Sequence, residues 1–255
     1  MAKLKTRDVA CIKNKAERDT TIKGEKATWE EELTSWTHEK DPYSIDMIKD
    51  SKAMHPREML RAIENALPKN SIVSTDIGNI CSVSNSYLRF DEPRSMLAAM
   101  SFGNCGYAFP VAVGAKIASP NRPVFAYVGD GAWGISLNEL LTCAREKIGV
   151  TVILFNNGQW GAEKKNHVDF YSRRYQGVEL VNPSWAAVAK SFGCEGVTVD
   201  KVSDVGAAIE TAVKNQAAGK TTVIEMMVTK ELGDPFRRDA LSKPVRHLDK
   251  YKSFV

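Results

Sequence analysis

The 255-residue sequence predicts an α/β fold, a three-layer sandwich with a mostly parallel sheet of about six strands. Short, near-continuously apolar runs recur through the middle of the chain, as strands covered on both faces require. Helix-period stretches separate them, and such alternation builds a parallel sheet with helices over each face. With 43% apolar and 26% charged residues the composition is that of a globular protein. No run approaches the roughly 18 apolar residues of a spanning helix. The polar start MAKLKTRDVACIKNKAERD lacks the pattern of a secretory signal. A formal net charge of +4 is too weak to argue for nucleic acid, which asks for a clustered basic face. The five cysteines are scattered without a C-x-x-C or a Cys/His metal spacing, which suits free thiols in a reducing cytoplasm.

Charge density divides the chain in three. Residues 1–52 hold 11 Lys+Arg and 11 Asp+Glu and few apolar positions, so they read as a charged linker or arm that cannot make a core of its own. Trp29, Leu33 and Trp36 at helical spacing offer one docking stripe. Residues 53–229 carry the sandwich. Strands are expected at Ser71–Thr75, Met96–Met100, Pro123–Val128, Val150–Phe155, Val197–Val199 and Thr222–Val228. Helices are expected near Pro56–Leu67, Asn79–Leu88, Tyr107–Ile117, Leu137–Lys147, Ser184–Phe192 and Ser203–Ala218. Residues 230–255 form a C-terminal tail with 7 Lys+Arg against 4 Asp+Glu, either solvated or wrapped over a neighbouring subunit. In a parallel sheet the ligand site lies at the carboxyl ends of the strands, near the switch in strand order.

The loop after the third strand, PVFAYV-GDGAWG-ISLNELLTCAREK, is the informative one. Gly129, Gly131 and Gly134 fit the dinucleotide fingerprint G-x-G-x-x-G. Two features argue against a dinucleotide. Asp130 would set a carboxylate beside bare phosphates. The next strand ends Phe155-Asn156-Asn157, with no acid to hold a ribose. Both become fits for a diphosphate carried on a divalent metal. Asp130 then supplies an anionic oxygen, Asn157 a neutral amide oxygen, and a main-chain carbonyl and the diphosphate further ligands, a hard-oxygen set suited to magnesium. The amides of Gly131 and Ala132, opening the helix, would face the phosphates.

Gly129-Asp130-Gly131, then 24 residues, then Asn156-Asn157 resembles the signature of thiamin diphosphate enzymes. Glu139-Leu140 and Trp160-Gly161 are similar to that superfamily as well. The resemblance implies the thiamin diphosphate-binding fold, with thiamin diphosphate and Mg2+ as cofactors. It implies Asp130, Asn157 and the main-chain carbonyl of Gln159 as metal ligands. In acetolactate-synthase-like members the loop after the first strand touches the diphosphate, which makes Gly78, Asn79 and Ile80 candidates alongside Gly129, Asp130, Gly131, Ala132 and Asn157. The stretch is equally readable as a helix cap. Cys105, in Gly103-Asn104-Cys105-Gly106-Tyr107, stands where relatives carry a bulky apolar residue that props the cofactor in its bent form. It is also readable as plain helix packing.

Within that superfamily the whole sequence resembles the carboxyl-terminal part of the sulfoacetaldehyde acetyltransferases. The stretches WTHEKDPYSIDMI, MSFGNCGYAFP, NNGQWGAEKKNHVDFYSRRYQGVEL and ELGDPFRRDALSKPVRHLDKYK carry this resemblance. It implies conversion of sulfoacetaldehyde and phosphate to acetyl phosphate and sulfite, a step of taurine and sulfonate catabolism. Anionic substrates ask for cationic donors. Lys164, Lys165, His167, Arg173 and Arg174 form one set, and Arg237, Arg238, Arg246 and His247 a second, each also readable as solvated basic chain. In the superfamily a glutamate from a separate pyrimidine-binding domain activates the cofactor. Residues 1–52 cannot build that domain. The chain is therefore expected to be inactive alone and to work in a homo- or hetero-oligomer. Two alternatives stay open: the diphosphate-binding subunit of another such enzyme, acetolactate-synthase-like or an oxo-acid decarboxylase, and a non-catalytic module that keeps the cofactor fold.

Overall fold

The computed structural model describes residues 53–230, apart from Ser86 and Asp91. The arm expected at 1–52 and all but the first residue of the tail lie outside the described residues. The elements, in chain order, are α1 (Pro56–Ala66), β1 (Ile72–Thr75), α2 (Asn79–Ser84), β2 (Met96–Ala98), α3 (Ala108–Ala118), β3 (Val124–Gly129), α4 (Asp130–Ser136), α5 (Leu140–Glu146), β4 (Thr151–Asn156), α6 (Gly161–Phe170), α7 (Trp185–Ser191), β5 (Glu195–Val199), α8 (Val205–Ala217) and β6 (Thr222–Met227). Short 3₁₀ turns precede α5 and α8.

The six strands form one parallel sheet in the order β2-β1-β3-β4-β6-β5. Strand periodicity of two builds its two cores. Val124, Ala126 and Val128 of β3, with Val152 and Leu154 of β4, face one cluster that α3, α5 and α7 cover through Phe109, Leu140 and Ala189. Phe125, Tyr127, Ile153 and Phe155 face the other, covered by Met59, Leu60 and Ile63 of α1 and by Ile209 and Ala212 of α8. Each Val, Leu, Ile, Met or Phe among them contributes about 1.5–3 kcal/mol on burial. The helices that cover the sheet start and stop where local chemistry dictates. Pro56 opens α1, where its missing N–H costs nothing. Lys147, at φ 53°, ends α5 in the left-handed region.

The chain passes from β1 outward to β2, then returns to place β3 on the opposite side of β1. That reversal is the switch point, and it sets the carboxyl ends of β1 and β3 side by side. Thr75 lies opposite Tyr127, and Gly129 opposite Phe155. Three short segments therefore meet at one edge of the sheet: 76–80, 129–132 and 156–160.

The expected sheet and the main covering helices match the observed ones, and the differences have local causes. The helix expected over 79–88 stops at Ser84, where Tyr87 N–H turns back to the Ser84 carbonyl. The strand expected over 96–100 ends at Ala98, where Met100 N–H bonds the Ala98 carbonyl in a turn. Helix α4, expected as the helix opening at Gly131 and Ala132, ends at Ser136 and is set off from α5 by a 3₁₀ turn. Helix α6 was not expected, because the basic, apolar-poor GAEKKNHVDF obscures it.

Candidate functional site

Asp130 is the first residue after β3 and is 3% exposed. Its Oδ1 accepts the Gly131 N–H at 3.1 Å. Its Oδ2 accepts the Gly158 N–H at 2.8 Å and the Asn182 side-chain amide at 2.6 Å. The Gly158 bond draws the carboxylate against the turn that follows β4. Burial pushes the Asp130 carboxyl above its ordinary value, and the hydrogen bonds from Asn182, Gly158 and Gly131 oppose that rise without cancelling it. A buried carboxylate so placed favours a cation beside it.

The turn after β4 carries neutral oxygens. Asn157 is buried, and among the described residues no hydrogen bond engages its side chain. Gln159 is 2% exposed, and no N–H of the described residues reaches its carbonyl. One carboxylate, one unengaged amide and one unengaged carbonyl converge on the 157–159 turn. That donor set fits a hard divalent cation that completes its shell with phosphate oxygens. No cluster of three or more His, Cys, Asp or Glu fit to hold a metal occurs among the described residues.

The segment after β1 closes the same edge. Gly78, at φ 150°, needs the freedom of glycine to turn the chain into α2. Asn79 and Ile80, the first residues of α2, are buried, and a methyl group added at Gly129 would lie 3.9 Å from Ile80 Cγ2. Asp76 has a different task. Its Oδ1 accepts the amides of Ile77 at 2.9 Å and Gly106 at 3.0 Å, and its Oδ2 that of Ala108 at 2.8 Å. It thereby ties the 103–108 turn to the end of β1. Half-buried Cys105 sits in this turn with Sγ 3.9 Å from the Ile77 carbonyl oxygen, and burial, then Asp76 and Glu163, raise its thiol.

Residues 76–226 match the family model described as "Thiamine pyrophosphate enzyme, C-terminal TPP binding domain". The chain belongs to this family. Sulfoacetaldehyde acetyltransferase of Castellaniella defragrans is 58% identical over 253 residues, 97% of this chain and 42% of that protein. The enzyme of the same name from Alcaligenes xylosoxydans xylosoxydans is 58% identical over 257 residues, 97% of this chain and 43% of that protein. The chain thus spans less than half the length of these relatives. Among solved structures, the thiamine diphosphate-dependent 4-hydroxybenzoylformate decarboxylase of Rhodococcus jostii RHA1 superposes with a TM-score of 0.65 at 25% identity, over 71% of this chain and 34% of that one.

In this thiamin pyrophosphate-binding domain the segment 178–182 straps the 157–160 turn. Trp160 N–H bonds the Val178 carbonyl, and Leu180 N–H bonds the Gly158 carbonyl, each at 2.8 Å. Trp160 lies over the β3–α4 turn so closely that a Cβ at Gly131 would meet its ring at 2.8 Å. Lys164, 6% exposed, is the one member of the first basic set drawn inward. Its ammonium donates to Gln159 Oε1 at 3.0 Å and to Glu179 Oε1 at 2.5 Å, and stands 5.4 Å above the Tyr175 ring. Glu179 also pairs with Lys230. Lys164 thus ties Gln159 and Glu179 together across the turn. His167 Nδ1 faces the Glu163 carbonyl, and Arg174 donates to the Tyr171 carbonyl. The second basic set lies outside the described residues. Sequence reasoning missed the roles of Asn182 and Glu179, because each acts through partners distant along the chain. No helix among the described residues is long and apolar enough to cross a membrane.

Proposed function

We propose that the chain is the diphosphate- and metal-binding part of a cytoplasmic sulfoacetaldehyde acetyltransferase that yields acetyl phosphate and sulfite from sulfoacetaldehyde and phosphate. The observation that carries the site is the Gly158–Asp130 hydrogen bond of 2.8 Å, which gathers Asp130, Asn157 and the Gln159 carbonyl at one turn. The 58% identity to two sulfoacetaldehyde acetyltransferases supports the choice of reaction. In this reading Asp130, Asn157 and Gln159 hold Mg2+, and Gly78, Asn79, Ile80, Gly129, Gly131 and Ala132 line the diphosphate. Cys105, tied close to Ile77, supports the body of the cofactor. Thiamin diphosphate, when bound, supplies the electron sink for carbon–carbon and carbon–heteroatom chemistry. The chain's own part is positional: it fixes the metal and the diphosphate and keeps water from the buried carboxylate.

The domain division follows the same reading, with 1–52 an arm, 53–229 the binding domain and 230–255 a tail. In this reading the glutamate that activates the cofactor comes from a pyrimidine-binding domain outside these residues, and the working enzyme is an oligomer. Calorimetry of the full chain with thiamin diphosphate should show binding in magnesium and none after chelation by EDTA. Sulfite release should be absent from the chain alone and appear when a pyrimidine-binding domain of a relative is added. Acetolactate formed from pyruvate, in place of sulfite release, would assign the chain to the acetolactate-synthase-like branch.

A further inference from the structure

We infer that Asn182 is a positioning residue for the metal site, the last link of a hydrogen-bonded relay Glu225–Asn156–Asn182 that fixes the Asp130 carboxylate. This rests on the metal-site reading above. Glu225, on β6, is 2% exposed, and its Oε1 accepts the Asn156 side-chain amide at 2.8 Å. Asn156 Oδ1 accepts the Asn182 amide at 2.9 Å, and the same Asn182 nitrogen reaches Asp130 Oδ2 at 2.6 Å.

The direction of every bond is forced. A carboxylate only accepts, so Asn156 must turn its NH2 to Glu225 and its oxygen to Asn182. Asn182 must then offer NH2 to two acceptors at once, since Asp130 at the far end also only accepts. Two carboxylates at opposite ends thereby polarise two amides head to tail and leave each a single orientation. With Oδ2 held by Asn182 and Gly158, Asp130 keeps Oδ1, engaged by one amide alone, for a cation. Loss of a group that orients a ligand in this way typically costs about 10- to 100-fold in metal affinity.

Glu225 does more than start the relay. Its carboxylate also accepts the amides of Trp185 and Ala186, at 3.2 Å each, and the Thr198 hydroxyl at 3.0 Å. The relay is thus fastened to the start of α7 and to β5, which makes the orientation of Asp130 a property of the sheet. Asn182 is half-buried and outside any helix or strand, so its replacement tests the link without removing core packing.

The test measures half-saturating magnesium for thiamin diphosphate binding to the full chain, together with its metal-free melting temperature. Asn182→Ala removes the donor. Asn182→Asp keeps the shape and sets an acceptor against two acceptors. Both variants should need about 10- to 100-fold more magnesium, while melting within a few degrees of the unaltered chain. Unchanged magnesium dependence in both would overturn the inference and leave the site reading intact. Metal-free melting far below the unaltered chain in both would make Asn182 a folding residue and overturn it too. An unaltered chain without magnesium-dependent binding would overturn the site reading and the inference together.

Discussion

Asp76 and Asp130 occupy equivalent places, each the residue that follows a buried strand, and each is 2–3% exposed. Both carboxyls are pushed up by burial against opposing backbone hydrogen bonds. They differ in what surrounds them. Asp76 is enclosed by main-chain N–H groups of Ile77, Gly106 and Ala108. Asp130 faces a turn in which the Asn157 amide oxygen and the Gln159 carbonyl have no donors among the described residues. Each accepts three hydrogen bonds, but a carboxylate that meets donors alone is a staple, while one that also faces unengaged acceptors suits a cation. The type of residue and its depth do not distinguish the two; the sign of the neighbouring dipoles does.

The sharpest way to break this comparison is to remove each acid in turn. Asp130→Ala should weaken magnesium-dependent thiamin diphosphate binding by at least about 100-fold, read by calorimetry, and should also lower metal-free melting, because it orphans the Gly131 and Gly158 amides and the Asn182 side chain. Asp76→Ala should cost stability without a comparable loss of binding by the folded chain. It orphans three amides, and urea unfolding should show a loss of about 3 kcal/mol or more. A stable Asp76→Ala chain that no longer binds would dissolve the distinction.

A smaller effect separates the two states of Asp130 by pH. Because burial raises its carboxyl, protons should compete with magnesium at a higher pH than they would for an unburied carboxylate, and binding should rise with pH through that window. In the metal-free chain the sign is opposite. The group contributes stability fully below 3.8, and that contribution is lost as pH rises through its folded value. Parallel titrations of binding and melting check both limbs.

The smallest effect belongs to the strap. Burial opposes ionisation of Glu179, but the hydrogen bonds and charges of Lys164 and Lys230 outweigh it and hold its carboxyl below 4.5. Its contribution is present above 4.5 and lost as pH falls through the lowered value. Glu179→Gln should melt a few degrees below the unaltered chain near neutral pH, and the gap should close in acid. A gap independent of pH would mean that the strap is held by its backbone bonds to 158 and 160.

The sheet was legible because β1, β3, β4 and β6 are buried on both faces, and only apolar runs tolerate that. Helix α6 was not, because it takes its place from Lys164 and the strap, not from an apolar stripe. Asp130 and Asn157 were legible because a carboxylate and a paired asparagine at strand ends make poor sense in a dinucleotide loop. Asn182 was not, because a lone asparagine ahead of Pro183 looks like any turn. Its meaning depends on Asp130 and Asn156, 52 and 26 residues away along the chain. Nor does the letter pair Asn156-Asn157 show its division of labour. Strand alternation turns the first toward Glu225 and leaves the second unengaged at the sheet's edge.

The indole of Trp160 also gives the chain a built-in optical gauge. It rests on Gly131, where only a hydrogen separates ring from backbone, and it is fastened to the turn that carries Asn157 and Gln159. Trp133 and Trp185 are sealed in the core. Among these three, the fluorophore whose polarity changes when ions and phosphates arrive is Trp160, so occupancy of the turn should register as a shift in its emission without any added label.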